Sequence, residues 1–356
     1  MKYDYMLEIE KLTLKDINDI KNFKSTNASS NLLVVINNTL DLTSDMLNDL
    51  MDVKNIKIQV KGPYNKEYVS KYNNLSYVRE QNIYSIFELR EIIRHNIDKM
   101  GVDGLYVGGS TGENFMISTE EKKRVFEITI DEAKDTVNLI AQVGSINLYE
   151  AVELGKYVTK LGYKCLSAVT PFYYKFDFSE IKDYYETIVR ETGNYMIIYS
   201  IPFLTGVNMN LSQFAELFEN EKIIGVKFTA GDFYLLERVR KTFPDKLIFA
   251  GFDEMLLPAV VLGVDGAIGS TYNINGIRAK QIFELAKNSK IDEALKIQHI
   301  TNDLIEGILS NGLYQTIKEI LKLEGVDAGY CRKPMKKLTQ KQIEFAKELH
   351  KKFLKN

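Results

Sequence analysis

Cysteine, histidine and long apolar runs are scarce in this 356-residue chain, and each scarcity excludes a class of site. Only Cys165 and Cys331 are present, which argues against a disulfide framework and a cysteine-based zinc site and favours a reducing cytoplasm. The three histidines, His95, His299 and His350, fall in segments with helical patterns, so neither a histidine metal site nor a Ser-His-Asp relay is expected. No apolar run approaches the ~20 residues that a membrane-spanning helix needs.

The overall composition is that of an ordinary globular protein. Hydrophobic residues make up 45% of the chain and charged residues 26%, and the formal net charge is -2. No basic stretch with interleaved aromatic residues is present, which argues against a nucleic-acid partner. The length predicts one large domain with an additional segment.

One lysine stands within an apolar run that is typical of a strand. Lys227 lies in the run Ile-Gly-Val-Lys-Phe-Thr-Ala-Gly at positions 224–231, whose apolar neighbours leave no solvated face. Burial disfavours the ammonium form and lowers the pKa of a lysine, as an amine needs in order to attack a ketone at neutral pH. Lys227 is therefore a candidate Schiff-base nucleophile. The alternative is a lysine at a strand end whose ammonium group reaches water.

From about residue 101 the chain alternates short apolar runs with amphipathic helical stretches, which predicts βαβ units and a parallel sheet. The predicted strands are 104–107, 139–143, 165–169, 196–199, 224–228, 247–250 and 266–268. Their regular spacing predicts an α/β fold of the (β/α)8 TIM-barrel type. Further helices are expected at 291–309, 313–323 and 339–353. The expected parts are a mixed N-terminal segment (1–88), the barrel (89–290, strands two to eight) and a C-terminal helical extension (291–356).

The segments after these strands are polar and rich in glycine, and in a barrel of this type such loops meet at one rim. Residues 108–112 read Gly-Gly-Ser-Thr-Gly, and such a turn can cradle a carboxylate or phosphate. Tyr199 ends the strand before that of Lys227 and could shuttle protons, although it could equally be a core aromatic. Asp253 and Glu254 are better suited to binding substrate hydroxyls than a metal, and Asp253 could instead cap the following helix.

Three motifs together resemble the dihydrodipicolinate synthase and N-acetylneuraminate lyase superfamily, which comprises pyruvate-dependent class I aldolases on (β/α)8 barrels. They are Gly-Ser-Thr-Gly-Glu at 109–113, Tyr-Ser-Ile-Pro at 199–202 and Gly-Val-Lys at 225–227. The resemblance runs from about Arg90 to the C-terminus and is greater to the lyase branch. The synthase branch usually has an arginine where this chain has Leu204.

The resemblance implies a role for each matching residue. Lys227 would form the imine with the C2 ketone of N-acetylneuraminate, and Tyr199 would relay the proton during cleavage to N-acetylmannosamine and pyruvate. Tyr173 matches a family tyrosine that completes a proton relay across a subunit contact. Ser110 and Thr111 would bind the substrate carboxylate. The residues implied for binding the sugar-derived chain are Thr229, Gly251, Asp253, Glu254 and Ser270. Neither a metal nor another cofactor is implied, and family members are typically homotetramers.

The stretch before about Leu89 does not match the family, which leaves the first of eight barrel strands unassigned. Its pattern predicts helices near 14–23 and 44–51, strands at 32–36 and 56–60, and a linker or irregular hairpin over 63–84. One of the runs 32–36, 56–60 or 75–78 is expected to substitute for barrel strand one. Two alternatives to a sialic-acid lyase remain: another pyruvate-dependent 2-keto-acid aldolase, and a catalytically impaired N-terminal fusion or binding protein.

Overall fold

The computed structural model describes residues 5–27, 29–38, 46, 49–50, 53, 56–61, 75–78 and 86–355. The chain divides into two compact units. One consists of Met1–Ile92 with Gly325–Lys337, and the other of Ile93–Glu324 with Leu338–Asn356. The three-part division predicted from the sequence stays a prediction.

The first unit contains a four-stranded parallel sheet whose strands lie side by side in chain order. The strands are β1 (Tyr5–Lys11), β2 (Leu32–Asn38), β3 (Ile56–Lys61) and β4 (Leu75–Val78). Helix α1 (Leu14–Thr26) links the first two strands. Val34, Ile36 and Ile58 are buried in one cluster with Ile17 and Ile20 of α1. The alternating apolar positions of β2 therefore form the covered face of this sheet.

The prediction that one of the runs 32–36, 56–60 or 75–78 replaces the first barrel strand is wrong. All three runs are neighbouring strands of the four-stranded sheet, in which 56–60 pairs with 32–36 on one side and with 75–78 on the other. A physical reason lies in their pattern, because alternating burial suits a sheet covered on one face, whereas barrel strands are buried on both. The predicted helix at 44–51 and the linker at 63–84 lie largely outside the described residues.

The second unit contains a seven-stranded parallel sheet, also in chain order. The strands are β5 (Gly104–Val107), β6 (Asn138–Gln142), β7 (Cys165–Val169), β8 (Tyr195–Ser200), β9 (Ile223–Phe228), β10 (Leu247–Ala250) and β11 (Gly266–Ala267). All seven predicted strands are confirmed to within two residues at each end. Strands β5 and β11 are the edges, and no eighth strand closes the sheet among the described residues.

Helices alternate with these strands, as the predicted α/β class requires. Further helices in the described part of the chain include α2 (Ile86–Arg94), α3 (Thr119–Ala133), α4 (Leu148–Leu161), α5 (Phe178–Thr192), α6 (Pro202–Thr205), α7 (Leu211–Phe218), α8 (Phe233–Thr242), α9 (Leu256–Val261), α10 (Tyr272–Lys287), α11 (Ile291–Asn311), α12 (Leu313–Leu323) and α13 (Gln340–Leu349). The three predicted C-terminal helices are thus confirmed. A π-helical turn, His95–Lys99, continues α2.

The central strands are buried along nearly their whole length, because helices cover one face and the inside of the curved sheet forms the other. Every residue of β8 after Tyr195 is buried, and so is most of β9. Polar side chains occur among these apolar positions where a strand residue faces inward. None of the helices in the described ranges is long and apolar enough to cross a membrane.

Candidate active site

The loops at the carboxyl ends of the seven strands bring the predicted site residues together. The hydroxyls of Thr111, after β5, and Ser270, after β11, lie 2.7 Å apart. Since β5 and β11 are opposite edges of the sheet, this contact means that the sheet curls until its two edges approach at the rim. A curled parallel sheet directs the side chains of its inner face toward one interior.

Lys227 lies in that interior. It is 7% exposed and pairs in register with Tyr199 of β8. Its Nζ lies 4.1 Å from the ring centroid of Tyr199 and 4.4 Å from that of Tyr106. Burial lowers the pKa of Lys227 from 10.5 to about 7, and the nearby charge of Asp253 opposes this change. The lysine is buried rather than solvated at a strand end.

Tyr199 places its phenol at the rim side of the amine. It is buried, and its hydroxyl lies 3.4 Å from the hydroxyl of Ser110, which follows β5. Burial raises the pKa of the Tyr199 phenol above its usual value, and the Ser110 hydroxyl opposes this effect. The phenol is therefore protonated near neutral pH and can pass a proton by way of Ser110.

Asp253 is buried and links the loops after β10 and β11. Its Oδ2 accepts a hydrogen bond from the main-chain N–H of Thr271 at 2.7 Å and another from the Thr271 hydroxyl. Burial raises the pKa of Asp253 to about 6, and the bonds from Thr271 oppose this. The alternative that Asp253 caps the next helix is wrong, because α9 begins at Leu256 without a side-chain cap. Asp253 is instead oriented by a residue of the neighbouring strand's loop.

Two glycines give this carboxylate and a nearby hydroxyl the space that they need. A Cβ at Gly251 would lie 1.8 Å from Oγ1 of Thr229, and a Cβ at Gly269 would lie 1.6 Å from Oδ1 of Asp253. Both approaches are far shorter than a van der Waals contact, so only glycine fits either position. Glu254 is half-buried beside Asp253, and its carboxylate makes no hydrogen bond within the described part of the chain.

Tyr173 is not brought to Lys227 within this chain. Its side chain is 83% exposed and packs edge-on against the ring of Tyr174, with the centroids 5.0 Å apart. The predicted role of Tyr173 needs a second subunit, and that role stays a prediction. The other catalytic and binding residues predicted from the sequence all lie on the strand ends or rim loops of the seven-stranded sheet.

Tyr106 is a residue of the site that the sequence patterns do not single out. This strand residue lies against Lys227, and its hydroxyl donates to Oγ of Ser167 at 2.8 Å. Its inward direction could have been found from the alternation along β5, since Tyr106 lies two residues from Gly104 and four from Ser110. A chain with 21 tyrosines gives no compositional signal for any one of them.

The histidines lie apart from this interior, as predicted. Nε2 of His95 lies 2.9 Å from the carbonyl oxygen of Asn273, and His350 contacts Glu324 near the end of α13. Among the residues that the structure describes, no group of three His, Cys, Asp or Glu side chains is arranged to hold a metal ion.

Comparisons with known proteins show which family this chain resembles. The sequence profile of the Dihydrodipicolinate synthetase family matches residues 75–352. N-acetylneuraminate lyase from Fusobacterium nucleatum is 96% identical over 268 residues, which are 75% of this chain and 92% of that protein. N-acetylneuraminate lyase from Haemophilus influenzae is 74% identical over 267 residues, which are 75% of this chain and 91% of that protein.

A solved structure gives the same result for the fold. N-acetylneuraminate lyase from Fusobacterium nucleatum complexed with pyruvate matches with a TM-score of 0.75 and 87% sequence identity, over 82% of this chain and 94% of that chain. The predicted barrel type and the predicted resemblance of the region after about residue 90 are thereby confirmed.

Proposed function

Because this chain belongs to the dihydrodipicolinate synthetase family, we propose that it is a carbon–carbon lyase that cleaves N-acetylneuraminate to N-acetylmannosamine and pyruvate. The observation that carries the proposal is the buried amine of Lys227, whose pKa is lowered to about 7 and which is flanked by two tyrosine rings. Such an amine is partly uncharged at neutral pH and can attack a ketone.

In the proposed reaction the Lys227 nitrogen adds to the C2 carbonyl carbon of the open-chain substrate. The carbonyl oxygen leaves as water, one proton is consumed overall, and the nitrogen becomes a positively charged imine. Loss of the proton from the C4 hydroxyl then breaks the C3–C4 bond, and its electron pair moves toward the imine to give an enamine. This electron sink requires neither a metal nor an organic cofactor.

Tyr199 is the proposed proton carrier for these steps. Its hydroxyl lies beside the Ser110 hydroxyl and its ring contacts the Lys227 amine, so one phenol is near both the reacting nitrogen and the rim. A second proton carrier is proposed at Tyr173, supplied by a neighbouring subunit. This role requires an oligomer, and we propose a homotetramer in the cytoplasm.

The rim residues divide into two proposed binding sets. Ser110 and Thr111 would receive the substrate carboxylate, since their turn presents two hydroxyls close to Tyr199 and Ser270. The proposed ligands of the hydroxylated chain are Thr229, Gly251, Asp253, Glu254 and Ser270. The Thr229 side chain is buried beside the Tyr199 phenol, and its hydroxyl acts to lower the pKa of that phenol, so it lies next to the reacting groups.

One observation favours a second candidate, a catalytically impaired protein with the same fold. Within the described residues the sheet has seven strands and two edges, whereas a closed barrel of this type has eight strands. Open edges expose unpaired backbone groups. A barrel open at β5 and β11 could hold Lys227 in place and still fail to exclude water.

Borohydride trapping with pyruvate separates the candidates. We expect intact mass and peptide mapping of the folded protein to find a reduced pyruvyl adduct on Lys227. We also expect an assay coupled to lactate dehydrogenase to detect release of pyruvate from N-acetylneuraminate. An adduct without cleavage of this sugar acid would indicate another pyruvate-dependent aldolase. Folded protein without an adduct would favour the impaired protein.

A further inference from the structure

Tyr106 presents the face of its ring, and not its hydroxyl, to the Lys227 amine. The Nζ of Lys227 lies 4.4 Å from the centroid of the Tyr106 ring. The Tyr106 and Tyr199 rings meet at an interplanar angle of 80°, with centroids 5.8 Å apart. Two nearly perpendicular rings thus enclose the amine, which makes no hydrogen bond within the described part of the chain.

The Tyr106 hydroxyl is held away from the reacting nitrogen. It donates to Oγ of Ser167 at 2.8 Å, and that hydroxyl donates to the carbonyl oxygen of Ile197 at 2.8 Å. Burial raises the pKa of Tyr106 well above its usual value, so the phenol stays neutral. These bonds separate Tyr106 from Tyr199, whose hydroxyl points to the rim.

The neighbouring loop leaves space for the Tyr106 ring. A Cβ at Gly109 would lie 2.9 Å from Cδ1 of this ring, so a side chain there would push the ring from its position. The Gly-Gly-Ser-Thr-Gly turn therefore places the Ser110 and Thr111 hydroxyls at the rim and also leaves room for the Tyr106 ring.

We propose that the Tyr106 ring stabilises the positive charge that the Lys227 nitrogen acquires when it forms an imine with a 2-keto acid. The proposal rests on the proposed function. The face of an aromatic ring attracts a cation, and the attraction is greater where water is excluded. A neutral amine gains little from the same face. The ring therefore favours the charged imine over the free amine, which is the differential interaction that catalysis requires.

Fluorination tests the ring face without changing the shape of the site, because fluorine weakens the attraction of the ring for a cation. Tyr106→Phe is compared with replacement of Tyr106 by trifluorophenylalanine, and both lack the hydroxyl. The pyruvate concentration for half-maximal borohydride trapping is measured for each at about pH 8.5, where the Lys227 amine is mostly uncharged before it reacts. We expect Tyr106→Phe to stay within about threefold of the parent, and the fluorinated protein to need roughly tenfold to thirtyfold more pyruvate.

Tyr163 provides the matched control. It is also buried, and its hydroxyl donates to the carbonyl oxygen of Phe126 at 2.9 Å, but its ring does not face Lys227. The same two replacements at Tyr163 should leave trapping unchanged. If the two Tyr106 variants need the same pyruvate concentration for half-maximal trapping, whether or not that concentration differs from the parent's, the proposal is overturned.

A second readout does not depend on pyruvate. The rate at which a small acylating reagent labels Lys227 is followed against pH by peptide mapping, because only the free amine reacts. We expect fluorination at position 106 to lower the midpoint of this profile by about one pH unit relative to Tyr106→Phe. If the parent forms no imine, the proposed function fails and this profile alone decides the role of Tyr106. If the midpoint of the labelling profile is the same for the fluorinated protein and for Tyr106→Phe, the proposed role of the Tyr106 ring is overturned.

Discussion

Lys24 and Lys227 are both buried lysines in parallel α/β units, yet their ammonium groups have different surroundings. Lys24 is 5% exposed, and its Nζ donates to the carbonyl oxygens of Asn27 and Ser30 at 3.2 and 2.5 Å. Lys227 is 7% exposed and is flanked by tyrosine rings, without a hydrogen-bond acceptor among the described residues. Burial alone therefore does not identify a reactive lysine. The absence of acceptors does, because it leaves the amine free to lose its proton.

Removal of the Lys227 amine should change turnover more than any other substitution proposed for this chain. Lys227→Ala should lower kcat for N-acetylneuraminate cleavage by at least ~10³-fold, because among the described residues Lys227 is the amine that lies against the Tyr106 and Tyr199 rings and could form the imine. The fold should remain, since this change removes a charge that is costly to bury. Steady-state kinetics, pyruvate trapping and circular dichroism measure these outcomes.

Lys24→Met is the control at the other lysine. It leaves the carbonyl groups of Asn27 and Ser30 without this donor, which should cost about 1–3 kcal/mol of unfolding free energy. Turnover by the folded protein should match the parent. Retained turnover in Lys227→Ala, or lost turnover in folded Lys24→Met, would show that the absence of hydrogen-bond acceptors does not identify the reactive lysine.

Lys318 provides an intermediate case, a buried lysine that pairs with a carboxylate. Its Nζ contacts Glu113, and both side chains are buried. Lys318→Met removes one cationic partner from this buried carboxylate and should cost up to about 5 kcal/mol of unfolding free energy, as urea denaturation would measure. The double variant with Glu113→Gln should recover part of that loss. A double variant as unstable as Lys318→Met would mean that the charge of Glu113 is not the cause.

The close approach of Gly269 to Asp253 allows the position of the carboxylate near Lys227 to be tested. Gly269→Ala would place a Cβ 1.6 Å from Oδ1 of Asp253 and must displace that side chain. We expect kcat/KM to fall by roughly 10- to 100-fold, since small displacements of positioned groups are costly. Gly231→Ala is the matched control, because a Cβ there meets nothing within 4 Å, and it should stay within about twofold. Equal losses would contradict a positional role for Gly269.

The sequence could predict the features whose signal is local. An ammonium group is unusual in an apolar strand, so the eight residues at 224–231 are enough to predict a reactive Lys227. The position of Tyr199 at the end of the preceding strand predicts that it lies beside this lysine. The seven barrel strands were found in the same way. Each of these features depends on a short run of residues whose burial pattern is unambiguous.

The features that depend on distant partners could not be found in this way. The pattern of β2 and β3 shows that they are strands but not which sheet they join. Apolar residues at alternate positions show which face of a strand is covered, but not which strand pairs with it. The sequence leaves Asp253 open between a ligand of substrate hydroxyls and a helix cap, because the residue that holds its carboxylate, Thr271, lies 18 residues away. The alternation along β5 gives the inward direction of Tyr106 but not its role, since that role comes from the lysine that it faces.

The smallest expected effect concerns the pH at which the Lys227 amine becomes reactive. Burial lowers the pKa of Lys227 to about 7, and the Asp253 carboxylate acts in the opposite direction by favouring the ammonium form. Asp253→Asn should therefore shift the midpoint of the labelling profile below pH 7, by a fraction of a pH unit. Since the pKa of Asp253 is about 6, its charge is present above pH 6 and is lost below it. The parent and variant profiles should differ most between pH 6 and pH 7 and converge at lower pH, where both side chains at position 253 are neutral. A midpoint that rises in Asp253→Asn would mean that the carboxylate acts on the amine through solvent access and not through its charge.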